Sequence, residues 1–142
     1  MEDRFKFRCY NKILRKMFDV KCMSYINGIV KRIEVQDGER ILIFNEWKNN
    51  IDNTVLVQCT GRKDKNGKLI YEGDIVKDNQ NLLYSVEFVE FEYQTKICLK
   101  RIENPDYYSH ISTWQGIGYK DQKNYEVIGN IYENKELLES EG

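Results

Sequence analysis

The stretch Ile29-Val30-Lys31-Arg32-Ile33-Glu34-Val35-Gln36-Asp37-Gly38-Glu39-Arg40-Ile41-Leu42-Ile43-Phe44 decides the class of the fold. Apolar and polar residues alternate on both sides of Asp37-Gly38. A period of two belongs to strands, because successive strand side chains point to opposite faces. Asp-Gly between two such runs predicts a hairpin closed by a two-residue type I′ turn, in which both turn residues need positive φ. In that register Ile29, Ile33, Val35, Leu42 and Phe44 share one face. Arg32, Glu34, Gln36 and Glu39 share the other. Ile41 and Ile43 fall on the polar side, which points to a hairpin covered on both faces.

The same period extends outward. Phe5 and Phe7 alternate with Arg4, Lys6 and Arg8, and Val55, Val57 and Cys59 alternate with Thr54, Gln58 and Thr60. Asp64-Lys65-Asn66-Gly67-Lys68 is a turn signal. Gly73-Asp74 opens the short run Ile75-Val76-Lys77, and Asn79-Gln80-Asn81 closes it. From Leu82 to Tyr93 the apolar phase slips at Phe88-Val89. One extra residue there returns the apolar side chains to one face, so a β-bulge is expected. Ile97–Ile102 is a further strand. Tyr125–Tyr132 is apolar on both sides, as a central strand would be. Glu136–Glu139 reads as a terminal helical turn. Tyr10, Ile13, Leu14, Met17 and Phe18 fall at i, i+3, i+4, i+7 and i+8, so on its own this segment reads as a short amphipathic helix.

Composition bounds the rest. The chain has 142 residues, 41% hydrophobic, 13% aromatic and 32% charged. That is too apolar for a disordered chain and too charged for a bundle of membrane helices. No run approaches the eighteen or so apolar residues of a spanning helix, and Met1-Glu2-Asp3-Arg4 shows no signal-peptide core. With 22 basic and 23 acidic residues the net charge is −1, which argues against nucleic-acid binding by bulk charge. Cysteines stand at 9, 22, 59 and 98 without a C-x-x-C, so neither a zinc site nor a redox motif is supported. Reduced thiols in a cytoplasm are expected, with Cys59 and Cys98 as small core residues.

Three blocks, in order, carry a resemblance. The run Val57-Gln58-Cys59-Thr60-Gly61-Arg62-Lys63-Asp64-Lys65-Asn66-Gly67-Lys68-Leu69-Ile70-Tyr71-Glu72-Gly73-Asp74-Ile75-Val76 resembles the signature of the YopX family of phage and prophage proteins. Lys6-Phe7-Arg8 is similar to that family's opening strand. Glu126-Val127-Ile128-Gly129-Asn130-Ile131-Tyr132-Glu133-Asn134, followed by Leu137-Leu138, is similar to its closing motif. The chain departs from the pattern at Cys9-Tyr10, where the family usually has Trp, at Cys59, where an aromatic is common, and at Lys135, where Pro is common. The resemblance implies a phage or prophage origin and supplies no catalytic residues. It also implies a hairpin, not a helix, over Tyr10–Phe18. The signature itself reads as turn chemistry: Asp64 caps the turn, Asn66 and Gly67 tolerate left-handed φ, and Gly73 bends the chain into its next strand.

Little points to catalysis. His110 is the only imidazole and lies in a polar stretch; a Cys–His nucleophile would need Cys98 or Cys59 exposed beside it. Glu87, Glu90 and Glu92 read as a solvated strand face that discourages edge pairing. Gly116-Ile117-Gly118 lacks the lysine and helix of a phosphate loop.

The expected protein is therefore a single all-β domain over residues 1–138 with a frayed tail at 139–142. It is mainly antiparallel, with seven or eight strands in a small barrel or bent sheet and a short C-terminal helical turn. The expected function is non-enzymatic. The chain is an accessory protein that binds a host or phage macromolecule, with inhibition of a host factor or antiviral defence as one form. Tyr107, Tyr108, Trp114 and Tyr119, aromatics in a weakly patterned segment, are the candidate partner anchors. The alternative is a nucleic-acid-binding regulator. Between Arg4 and Arg32 there are nine basic residues and one acid, and Arg4, Lys6, Arg8, Arg15 and Lys16 would form its basic face. No cofactor, metal or membrane is expected, and homo-oligomer formation is left open. Trp114→Ala or Tyr108→Ala is expected to keep stability within about 1 kcal/mol while weakening partner binding by about 2 kcal/mol or more. Thermal melts beside a binding assay check this, and variants that unfold would place the rings in the core.

Overall fold

The computed structural model describes residues 5–46, 51–91, 94–103, 108–109 and 124–139. Eleven strands run through these residues, and the only helical pieces are 3-10 turns. Every pairing is antiparallel. The chain divides into two compact units, Lys6–Gln58, and Cys59–Gly142 with Met1–Phe5.

In the first unit, β1 (Phe7–Asn11), β2 (Lys16–Ile26), β3 (Ile29–Asp37), β4 (Arg40–Asn45) and the first half of β5 (Thr54–Lys63) lie in the order β4-β3-β2-β1-β5. Tyr10–Phe18 is the hairpin that the resemblance implies. Its helical spacing loses because Asn11 turns the chain: the Asn11 side-chain oxygen accepts hydrogen bonds from the backbone N–H groups of Ile13 (3.0 Å) and Leu14 (2.9 Å). Arg15 then takes the left-handed φ of 53° that starts β2. One face of the sheet buries Cys9, Phe18, Ile33, Val35 and Phe44, with Val20, Met23, Leu42 and Leu56 packed around them. Phe18 and Phe44 meet tilted, with ring centroids 6.1 Å apart.

The β3–β4 hairpin forms, with a different turn from the expected one. Asp37 pairs with Arg40, so the turn residues are Gly38 and Glu39. Only Gly38 has positive φ, which is the type II′ pattern. Asp37 remains in the strand because its carboxylate binds two cations, Lys16 Nζ at 2.9 Å and Arg40 at 3.1 Å. The Lys16 hydrogen bond holds that carboxyl below its ordinary range. Ile33 and Val35 face Phe44 and Leu42 as expected. The second face is not covered: Ile41 and Ile43 are 50% and 40% exposed, and Ile29, expected among the buried residues, is 59% exposed.

In the second unit, the rest of β5 pairs with β6 (Leu69–Tyr71). A five-stranded sheet has the order β10 (Tyr108–Ser109), β9 (Gln94–Arg101), β8 (Leu83–Phe91), β7 (Asp74–Lys77), β11 (Glu126–Asn130). Ile70, Val76, Tyr84, Val86, Leu99 and Tyr125 form its core. Asp64 sits at the turn between β5 and β6, 3% exposed. One carboxylate oxygen accepts from the N–H groups of Asn66 and Lys68, both at 2.9 Å. The other accepts from the N–H of Val127, also at 2.9 Å. Asp74, also buried, accepts from Tyr71 N–H at 2.8 Å. The register of β5 slips between Cys59 and Lys63, where Gly61 has φ of 80°. There the Thr60 hydroxyl donates to Ile70 C=O and accepts from Arg62 N–H.

Three expectations are corrected. The ladder between β8 and β9 runs without a register shift from Tyr84–Arg101 to Phe91–Gln94, so there is no bulge at Phe88-Val89. The reason lies in the partners: β7 pairs only with Leu83–Ser85. Beyond Val86 no β7 residue pairs with β8; Cys98 is still buried and Ile97 still packs on the core, but a stretch without that third strand need not place all its apolar side chains on one face. The last strand is at an edge, not central, since β11 pairs with β7 alone among the described residues. Both sheets are open, so the eleven strands form no closed barrel.

Cys9, Cys59 and Cys98 are buried and Cys22 is exposed, all as free thiols. Burial pushes the Cys9 thiol up to about 11. A hydrogen bond to the Glu34 carboxylate, 3.1 Å away, raises that of Cys22. In native protein near pH 8 a disulfide reagent should titrate Cys22 first and leave Cys9 protected. Glu34→Gln removes the acceptor, lowers the thiol pKa and should speed that reaction; an unchanged rate would remove Glu34 from the account. Asp64→Ala leaves three backbone donors without their acceptor and should cost about 3–5 kcal/mol in urea denaturation. Loss of under about 1 kcal/mol would show that the carboxylate does not hold the turn.

Candidate functional site

The β2–β3 hairpin outruns its neighbours. β1 pairs with β2 only over Lys16–Asp19, and β4 pairs with β3 only from Arg32 onward. Val20–Ile26 therefore extends past the β1 pairing for seven residues, about 23 Å at the usual rise. Asn27 and Gly28 close the tip with φ of 52° and 79°, the type I′ pattern, between the paired Ile26 and Ile29. The register slips twice along this arm, once at Lys21 and once at Lys31. Each slip is one unpaired residue, which increases the local twist and bends a ribbon.

The tip is apolar on both sides. Tyr25, Ile26 and Ile29 are 55%, 59% and 59% exposed. Tyr25 pairs with Val30, and its hydroxyl lies 3.9 Å from the Met23 sulfur. Ile26 and Ile29, one residue further along, point to the opposite side. Behind the tip Lys31 is paired to Glu46 at 2.7 Å and Arg32 to Glu34 at 2.8 Å. The arm thus presents an apolar end on a base whose charges are largely matched. This arrangement is suited to filling a cleft; the tip itself carries no titratable cluster, and the thiol–carboxylate pair on the arm, Cys22 and Glu34 at 3.1 Å, lies behind it.

Of the four aromatic anchors expected from the sequence, three, Tyr107, Trp114 and Tyr119, fall outside the described residues. Tyr108 pairs with Lys100 as the first residue of β10, and its side chain is outside the description. Among the described basic residues, Arg8 and Lys16 do not share a face. Arg4 is outside the described residues. Arg8 lies opposite Asp19 and binds it at 3.2 Å. Lys16 lies opposite Asn11, on the same side as Cys9 and Phe18, and binds Asp37 with its ammonium 5.3 Å from the Phe18 ring centre. Strand alternation therefore places Arg8 and Lys16 on opposite faces of the sheet. Arg15 is at the turn between them, and Lys6 precedes β1. The arm itself was legible in Asn27-Gly28 between Tyr25-Ile26 and Ile29-Val30, the strongest short hairpin signal. That the tip stays uncovered depends on the lengths of β1 and β4.

The model of the family described as "YopX protein" matches residues 6–139. Among solved structures, protein EF1440 from Enterococcus faecalis is similar, with 24% identity, a TM-score of 0.66, and coverage of 94% of this chain and 97% of that one. Protein yopX from Bacillus subtilis is similar at 16% identity and a TM-score of 0.55, covering 98% and 99%. At these identities the likeness is one of fold. No curated protein matches the chain. The family match spans the signature, the arm and the closing strand together: the chain belongs to the YopX family.

Proposed function

We propose that the protein is a non-enzymatic binding module whose β2–β3 arm inserts its tip into an apolar cleft of a partner protein. The observation that carries this reading is the exposure of Tyr25, Ile26 and Ile29 at the end of a ribbon that neither neighbouring strand covers. Large apolar side chains at a projecting turn gain little for the fold and much for an interface, where a few buried anchors supply most of the affinity. A type I′ hairpin holds them in one geometry before binding, which lowers the entropy lost on association. In line with the phage or prophage origin that the family resemblance implies, the partner is a host or phage protein, and occupying its cleft would inhibit it. Host factors, antiviral defences included, are the natural targets of such a device.

A protein partner is favoured over nucleic acid by the charges. Arg8, Lys16, Lys31 and Arg32 each have a carboxylate within 3.2 Å. Phosphate binding would have to break these pairs before gaining from counterion release.

Ile26→Ser combined with Ile29→Ser should leave stability within about 1 kcal/mol, since both side chains are exposed, and should weaken partner binding by about 2 kcal/mol or more. A photo-crosslinking residue at position 26 should form a defined protein adduct in host lysate. The same residue at Glu39, at the opposite end of the sheet, should form none. Equal labelling from both ends, or adducts to nucleic acid alone, would refute the reading.

A further inference from the structure

Among the described residues four strands end the two sheets, and three of them carry a device against further pairing. β6 has three residues and β10 two, and β11 slips its register between Val127 and Gly129. Short or bulged edges offer a passing strand few aligned N–H and C=O groups. The open flanks of the arm are interrupted in the same way, by Lys21 and Lys31 at its two slips. β4 is different. Arg40-Ile41-Leu42-Ile43-Phe44-Asn45 runs six residues in unbroken register with β3 and contains no lysine, proline or glycine. A window of that length, rich in β-branched and aromatic residues and low in net charge, favours pairing between chains. Ile41 and Ile43 stand exposed along it.

The ladder fixes which backbone groups face outward. Asp37 and Arg40 flank a two-residue turn, so they form a hydrogen-bonded pair, and the ladder alternates from there. Arg40, Leu42 and Phe44 direct their N–H and C=O groups at β3. Ile41 and Ile43 direct theirs at the outer edge, where no strand pairs among the described residues. A second copy of β4 must meet these groups with its own Ile41 and Ile43. That condition keeps like faces together: Leu42 and Phe44 extend the buried face, and Ile41 and Ile43 the exposed one.

The charges select among the registers that meet this condition. Centred on Ile43, an antiparallel pair of β4 strands sets Leu42 opposite Phe44, Ile43 opposite itself, and Arg40 opposite Glu46 of the second copy. Centred on Leu42, Arg40 meets Phe44 and Glu46 meets Gly38. Centred on Phe44, Glu46 meets Leu42. Only the first register sets unlike charges across from each other, and the twofold axis does so at both ends. Arg40 holds Asp37 and Glu46 holds Lys31, yet their side chains are 78% and 60% exposed, so each remains open to a further contact.

We propose that the protein forms a twofold homodimer in which the β4 strands of two copies pair antiparallel about Ile43. The sheet of the first unit then continues from one copy into the other. The two Ile43 residues exchange N–H···O=C bonds, Arg40 and Glu46 pair at either end, and Ile41 flanks the central isoleucines. Each copy uses its one open edge, so this contact closes at two. The arm tip, formed by β2 and β3 past the end of the β4 pairing, takes no part in it.

Sedimentation equilibrium of the full chain, over about 1 to 100 µM, tests this. A species of twice the 17.0 kDa chain mass should form reversibly. Ile43→Lys sets two ammonium groups face to face across the axis and should raise the dimer dissociation constant about a hundredfold or more. Its far-UV circular dichroism should match the parent, because the side chain is exposed. Arg40→Glu should weaken the dimer about tenfold, and adding Glu46→Arg should restore it. An adduct from a crosslinker at position 39 that joins two copies of the chain supports the dimer, and its mass tells it from a host adduct. Monomer at every concentration, assembly beyond two, or a dimer indifferent to Ile43→Lys would overturn the proposal. Weakening by Arg40→Glu that Glu46→Arg does not reverse would overturn the register about Ile43.

Discussion

Three backbone N–H groups converge on the carboxylate of Asp64, two from the turn that it opens and one from Val127, sixty-three residues further along. The rest of the second unit depends on this junction. A buried carboxylate is costly unless its oxygens are bonded, and N–H groups at a turn are costly unless accepted. Each requirement is met by the other, and the result is one geometry for a loop that would otherwise sample many. The backbone adds two bonds at the same place, Asp64 N–H to Lys68 C=O and Lys65 N–H to Tyr125 C=O. The final strand is thereby fixed beside the signature turn before its own pairing with β7 is counted.

The rest of the signature follows the same logic. Thr60 replaces ladder hydrogen bonds where β5 slips register, and Gly61 takes the positive φ that the slip needs. Gly73, at φ of 85°, bends the chain into β7 and bonds to Val86 and Ile131 through its N–H and C=O. Asp74 satisfies Tyr71 N–H across that bend. The residues that mark the family are therefore the ones that solve backbone problems. Such residues say little about what the protein binds. What the protein binds is to be sought in parts that the core leaves free, such as the exposed arm tip.

The arm shows how a small imbalance in strand length creates a surface. Had β1 and β4 matched β2 and β3, Tyr25, Ile26 and Ile29 would lie at the end of a covered sheet. Because they stop early, the ribbon continues alone, and a two-stranded ribbon is only marginally stable without support. Asn27-Gly28 and the Tyr25–Met23 contact give local support, while the unpaired Lys21 and Lys31 bend the ribbon.

By itself the sequence determined the class and most of the strands. Alternation is a local property, and so are the turn preferences of Asp-Gly, Asn-Gly and Asp64–Lys68; each is readable within a window of a few residues. It also determined the inward set Ile33, Val35, Leu42 and Phe44, because parity along a strand needs no partner to define it. Only the tertiary structure decided what depends on a neighbour. Tyr10–Phe18 has helical spacing, yet Asn11 and the two flanking strands make it a hairpin. The phase slip at Phe88-Val89 required a bulge only on the premise that the whole strand has one buried face, and β7 is too short to impose it. Arg8 and Lys16 are close in sequence and on opposite faces in space. The exposure of the arm arises from where its two neighbours stop pairing. A pairing partner is chosen by the packing of the whole chain, which no local window of residues contains.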